Sequence, residues 1–276
     1  MLSQIWEQNI DLFRCPVCAG VLKTGGGAVF CIQNHSFDIS AKGYVNFLNL
    51  PVKHDYDAAL FRARREAVML GFFRPMTDAV AKAANTGTKI KLLDTCCGEG
   101  SHLAEIASVL GQTGCEVTGL GFDISKDGIK LAAKDKSCVF FVADLTKMPL
   151  ADSCADVLTN ILSPANYREF LRVLKPGGVC IKVVPNPGHL KELRTDEDRY
   201  ENLDVVRHFY DVFDNVQEID VKQVFDARPD LMRPLARMTP LMWNAGADEL
   251  ARAEALRKIT LDLKVLTAYT NSNVSF

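Results

Sequence analysis

Residues 90–100 read Ile90-Lys91-Leu92-Leu93-Asp94-Thr95-Cys96-Cys97-Gly98-Glu99-Gly100. The apolar run, the acid at its end and the two glycines describe a buried strand turning tightly into a helix, expected over 101–110. Glycine at such a turn lets the backbone come close to a bound ligand. Outward from this stretch the alternation repeats. Strands are expected over 115–122, 138–142, Val157 to Leu162 and Val179 to Val184, with helices over 126–134 and Ala165 to Leu174. Strands separated by helices imply right-handed crossovers and a doubly wound, mostly parallel α/β sheet covered on both faces. Further on, 216–225 and 259–269 alternate like strands flanking a helix around 247–257. In the other direction, Leu60, Ala63, Ala67, Val68 and Leu70 recur at helical spacing between Asp57 and Ala84, and Asn85-Thr86-Gly87 breaks the pattern. The expected organisation is a small module over 1–50, a linking helical segment over 51–84 and the α/β domain over 85–276.

The 276 residues are 48% apolar and 24% charged, which argues against disorder, collagen-like repeats and a disulfide scaffold. A formal charge of −2 shows no global basic field, although a local basic patch can still hold nucleic acid. No run of 18 uncharged apolar residues is present, so no membrane span is expected. Met1 to Leu12 carries Glu7 and Asp11 without a basic region and does not read as a signal peptide. Nine cysteines in such a chain suggest a reducing, cytoplasmic setting in which they bind metal or pack.

Cys15-Pro16-Val17-Cys18 is followed by Cys31-Ile32-Gln33-Asn34-His35. Cys-x2-Cys on a turn presents two thiolates to one ion, and Cys-x3-His returns two more ligands. Three sulfurs and an imidazole suit a closed, structural zinc site. A redox Cys-x-x-Cys is the alternative, but such a pair would normally follow a strand and open a helix.

Two further acids sit at expected strand ends. Gly121-Phe122-Asp123 closes the second strand, where a carboxylate can accept hydrogen bonds from ribose hydroxyls. Ala143-Asp144 closes the third, where one can meet an adenine amino group. With Asp94, Gly98 and Gly100 they line one crevice, and Asn160 to Pro164 borders it after the fourth strand. This pattern resembles the class I S-adenosylmethionine-dependent methyltransferases, whose Rossmann-like fold it implies. Leu174-Lys175-Pro176-Gly177-Gly178 before the fifth strand strengthens the likeness. On that resemblance Asp94, Gly98, Gly100, Asp123, Asp144 and Asn160 are expected to bind the cofactor. Cys96 departs from the pattern by standing where this fold usually has its first glycine.

The zinc-type module, Ser36-Phe37-Asp38, Lys42-Gly43-Tyr44-Val45-Asn46-Phe47-Leu48 and the methyltransferase pattern together are more specific. With Ala63-Arg64-Arg65, Pro185-Asn186-Pro187-Gly188-His189-Leu190 and Met238-Thr239-Pro240, they resemble the bacterial 23S ribosomal RNA (guanine-N1)-methyltransferases nearly end to end. Some members of that family affect sensitivity to macrolides. The resemblance implies methyl transfer to N1 of a guanine in a 23S rRNA hairpin loop, and a homodimer. Lys53, Arg64 and Arg65 fall in a modestly basic segment expected to hold RNA phosphates, with a solvated helix face as the alternative. Tyr44, Phe47 and Phe72 can stack on bases but are better explained by core packing. His189 lies near the expected arrival of the base, and its pKa range suits proton transfer. Its alternative role is to shape the loop. A small-molecule methyltransferase and a non-catalytic zinc-bearing RNA-binding protein are the competing readings.

Overall fold

Alternate residues of the strand at Ile90 face opposite layers: Leu92 packs into one apolar core and Leu93 into the other. The computed structural model describes residues 4–48, 52, 56–194 and 200–271. After α1 (Gln4–Asn9), strands β1 (Leu22–Gly25), β2 (Ala28–Cys31) and β3 (Ser36–Asp38) form an antiparallel sheet. The chain continues through β4 (Val45–Asn46), α2 (Ala58–Met69), α3 (Arg74–Ala84), β5 (Lys89–Thr95), α4 (Ser101–Gln112), β6 (Glu116–Asp123), α5 (Lys126–Ala132) and β7 (Cys138–Val142). It ends with β8 (Ala155–Ile161), α6 (Tyr167–Val173), β9 (Leu174–Pro185), α7 (Leu203–Val212), β10 (Gln217–Asp226), α8 (Pro229–Met238), α9 (Ala247–Glu254) and β11 (Lys258–Tyr269).

The large sheet has the order β10-β11-β9-β8-β5-β6-β7-β4. It is parallel from β9 to β4 and antiparallel where β11 joins β9 and β10. This is the class I methyltransferase architecture. The carboxyl ends of β5, β6, β8 and β9 open on one edge, where strand order reverses and ligands bind in such folds.

The helical stretch 57–84 is two helices, because the chain turns at Leu70 to Phe73 and Pro75 opens the second. Asp57 caps the first, its Oδ1 accepting the Leu60 amide at 2.7 Å. Neither helix is a mere link: Val80 and Met76 of α3 are fully buried in the same core as Leu103 and Ile106 of α4. Tyr44, Phe47 and Phe72 are also buried, in agreement with the packing role expected for them.

The N-terminal module is built into the main body. Beside α6 and α7, it covers the face of the sheet that presents Phe122 and Phe141. Phe13 and Phe47 meet Phe141 edge-on at 5.1 and 6.0 Å, and Trp6 lies 4.9 Å from Phe13. Trp6 Nε1 donates to the Gly43 carbonyl, and β4 extends the large sheet beside β7. Among the described residues no helix is long and apolar enough to cross a membrane.

Candidate functional site

The four expected metal ligands come together. Cys18 Sγ is 3.7 Å from Cys31 Sγ, and His35 Nδ1 lies 3.5 and 3.4 Å from the sulfurs of Cys15 and Cys31. All four donor atoms fall within 4.8 Å of one another. A tetrahedral ion with Zn–S bonds of about 2.3 Å requires sulfur–sulfur edges near 3.8 Å, so the donor set fits zinc. The set is closed and lies far along the chain from the crevice acids, which makes the ion structural.

In the crevice the turn after β5 is held from β6. Asp123 Oδ2 accepts the Gly98 amide at 2.9 Å and its Oδ1 accepts the Ser125 amide at 2.7 Å. Gly98 has φ 59 and Gly100 φ 78. A Cβ at Gly98 would stand 2.9 Å from the Arg64 guanidinium, and one at Gly100 would stand 2.8 Å from Phe140. The missing side chains therefore admit protein groups as well as letting the backbone approach a ligand. Cys96 replaces the usual glycine by adopting φ 56, at a cost of about 1–2 kcal/mol. Burial, with Asp123 and Asp94 nearby, pushes its thiol up to about 12, so it stays protonated. Leu162 and Leu190, after β8 and in the loop after β9, also have positive φ, at 50 and 52. Cys96 and Leu162 thus place strained non-glycine backbone at two strand ends of this edge, with Leu190 in the loop after a third.

Two buried acids look into the turn. Burial raises Asp94 to about 7, against the 2.8 Å hydrogen bond that Thr159 Oγ1 donates to it. Burial also raises Glu99, whose Oε2 accepts from Ser101 Oγ while its buried Oε1 has no partner. An orphaned carboxylate oxygen beside a glycine turn fits the cationic amino-acid end of S-adenosylmethionine. A raised acid favours its neutral form, so Asp94 contributes stability below about pH 4 that is lost as pH rises through about 7. Asp94→Asn is accordingly expected to flatten the fall in melting temperature between pH 5 and 8 without cofactor. An unaltered pH profile would show that Asp94 is ionised throughout.

The other expected site residues have defined partners within the fold. The side chain of Asn160 is surrounded by protein groups: its Nδ2 lies within hydrogen-bond distance of Thr95 Oγ1, Ser163 Oγ and the Pro164 carbonyl, and its Oδ1 accepts from Lys182 Nζ. These partners tie the 162–166 turn to β5 and β9. His189 Nδ1 accepts the Asp262 amide at 3.3 Å, and burial, with Arg194 nearby, lowers the ring to about 4. Its Nδ1 is turned to that amide, and burial favours the uncharged ring. Asp144 closes β7 as expected, its Oδ1 accepting the amide and hydroxyl of Thr146.

Two arginines of the basic segment also pack within the fold. Arg64 points into the crevice against Gly98, and its charge acts on Asp94, Glu99 and His102. Arg65 donates to the Leu131 carbonyl at 3.2 Å, bracing α2 on α5. Both are half-buried on α2. Lys53 lies outside the described residues. Sequence reading gave Arg64 to RNA phosphates; the approach of its guanidinium to the glycine turn is set by side-chain length and packing, which spacing along the chain does not show.

A methyltransferase-domain family matches residues 87–229, and the zinc-ribbon family described as RlmA, N-terminal matches residues 13–56. A Bacillus subtilis (strain 168) protein with the provisional name 23S rRNA (guanine-N1)-methyltransferase YxjB is 37% identical over 94% of this chain and 97% of its own. The Streptomyces fradiae 23S rRNA (guanine(748)-N1)-methyltransferase is 30% identical over 92% of this chain and 95% of its own. A crystal structure of an Aquifex aeolicus SAM-dependent methyltransferase aligns with TM-score 0.51 and 14% identity over 78% of this chain and 99% of that one, a likeness of fold. The zinc ribbon, the crevice and the end-to-end similarity together place the chain in the 23S rRNA (guanine-N1)-methyltransferase family.

Proposed function

We propose that this protein transfers the methyl group of S-adenosylmethionine to N1 of a guanine in a hairpin loop of 23S ribosomal RNA. The observation that carries the reading is the joint presence of zinc ribbon and methyltransferase domain across nearly the whole length of the rRNA-modifying relatives. A small-molecule methyltransferase needs only the second part. Bound S-adenosylmethionine supplies an electrophilic methyl on a sulfonium.

The chain's own groups then divide the work. Asp123 takes the ribose hydroxyls from the end of β6, and Asp144 meets the adenine from the end of β7. Arg64 receives the carboxylate of the amino-acid end, while Asp94 and Glu99 face its ammonium. The acceptor side is formed by the 162–166 turn. Lys182 is fixed there between Asn160 Oδ1 at 2.6 Å and the Ser163 carbonyl at 2.9 Å, and burial lowers it to about 8. A guanine reaches this pocket only when extruded, because N1 lies on its pairing edge. Transfer itself is chiefly positioning of nitrogen, methyl carbon and sulfur in line.

The test of the reading is transfer of labelled methyl from S-adenosylmethionine to bulk rRNA beside a metabolite extract, with mass-spectrometric mapping of methylguanine. Label confined to the metabolite fraction would reject it. Within the site, Arg64→Ala is expected to weaken cofactor binding about tenfold, from loss of a charge-assisted hydrogen bond, while Arg65→Ala leaves it near wild type. Calorimetric titration of both variants reads this. Equal affinities for the two would remove Arg64 from the cofactor site.

A further inference from the structure

Beside the crevice, a cavity of about 790 Å³ lies between the N-terminus of α2, α8 and α9. Its floor is apolar, with Leu60 of α2 and Met232 of α8 buried beneath it. Trp243 stands at its wall with 40% of its surface exposed, and Leu250 is 43% exposed. Arg233 and Arg237 of α8 also line it.

The arginines are paired with Glu254 at 3.6 Å and Asp57 at 3.1 Å, and all four side chains are more than half exposed. Pairs so exposed contribute little, so either guanidinium can exchange its carboxylate for a phosphate at small cost. An exposed indole over an apolar floor, with two guanidiniums at the rim, matches how proteins take unstacked nucleotides: the base stacks and arginines hold the backbone.

Aromatic contacts also connect the cavity with the cofactor turn. Trp243 meets Tyr56 edge-on at 5.6 Å, and Tyr56 lies 6.2 Å from Phe61. Phe61 reaches to 3.3 Å of where a Cβ on Gly98 would stand. An aromatic line thus runs from the cavity to the cofactor turn.

We propose that this cavity is a second nucleotide site: it stacks an unpaired base of the same RNA, outside the target guanine's pocket, on Trp243, with Arg233 and Arg237 on the adjoining phosphates. The proposal rests on the rRNA reading above. It explains how a chain of net charge −2 grips RNA, through a local site that does not need a basic field.

The test uses the two tryptophans of the chain, since Trp6 is fully buried and Trp243 is not. Titrating full-length protein with a hairpin-loop oligonucleotide of 23S rRNA should quench the Trp243 emission. Trp243→Ala should abolish the quenching and weaken RNA binding about tenfold, with cofactor affinity unchanged. Trp243→Phe should restore most of the affinity. Arg233→Gln with Arg237→Gln should make the slope of log affinity against log salt shallower by about 1.4, at roughly 0.7 for each phosphate of a single strand. Unchanged RNA affinity and KM in Trp243→Ala would overturn the cavity assignment and leave the rRNA reading standing. A wild-type protein that neither binds nor methylates RNA overturns both.

Discussion

Stripping the zinc, by chelation or by Cys18→Ser, is expected to melt the N-terminal module over residues 4–48 and also to lower the stability of the sheet beneath it. Ligand binding in a closed cysteine–histidine site is folding free energy for the segment that supplies it. The strands β1 to β3 are three or four residues long and cannot hold their pairing alone. The consequence does not stop at the module, because Trp6, Phe13 and Phe47 share one apolar core with Phe122 and Phe141 of the large sheet. Withdrawing three buried aromatic side chains, at roughly 1.5–3 kcal/mol each, costs on the order of 5 kcal/mol. In a chain of this size that corresponds to a melting temperature lower by about 10 °C or more. Differential scanning calorimetry with and without chelator, alongside metal analysis, reads both effects. Metal-free protein with an unshifted transition would contradict the shared core. Melting confined to the module would do the same.

Asp123→Ala should be the most damaging single substitution in the crevice, weakening S-adenosylmethionine binding about a hundredfold or more. Removing the charge-assisted hydrogen bonds to ribose accounts for roughly tenfold to a hundredfold. The structure adds a second cost, since the same carboxylate holds the Gly98 amide and the Ser125 amide that opens α5. Without it the glycine turn is no longer held in its binding shape. Asp123→Asn is expected to be nearly as harmful, because both carboxylate oxygens accept from backbone donors and an amide nitrogen can accept from neither. Glycine-turn loosening should also appear as faster amide hydrogen exchange at residues 97–100. Calorimetric titration that returned a wild-type dissociation constant for Asp123→Ala would place the cofactor elsewhere.

The strands from Ile90 to Val184 were legible because fully buried parallel strands are continuous apolar runs, and their ends carry the acids. The four metal ligands were legible from donor type and spacing alone. Other elements were hidden by local signals that tertiary packing overrode. The helix Pro229–Met238 contains Pro229 and Pro234, which read as breakers, yet Leu231, Met232, Leu235 and Met238 bury one face of it. The first proline sits where a helix has no amide to lose, and the buried face tolerates the second. Leu203–Val212 was likewise not anticipated, because its burial rests on Phe209 more than on a repeating stripe.

What the amino-acid sequence determined by itself was therefore the layer architecture, the zinc ligand set and the acids at the strand ends. Each depends on residue type and on distance along the chain. What only the tertiary structure decided was the direction and occupancy of individual side chains. Arg64 turns inward to Gly98, where a helix-face reading would place it on RNA. Asn160 is surrounded by four protein groups in the target-side turn, and His189 is tied to the Asp262 amide with its basicity suppressed by burial. Whether a polar group is free to act depends on which partners reach it across the fold, and those partners lie from 3 to 73 residues away along the chain. Burial then sets its protonation, and burial is a property of the packed molecule.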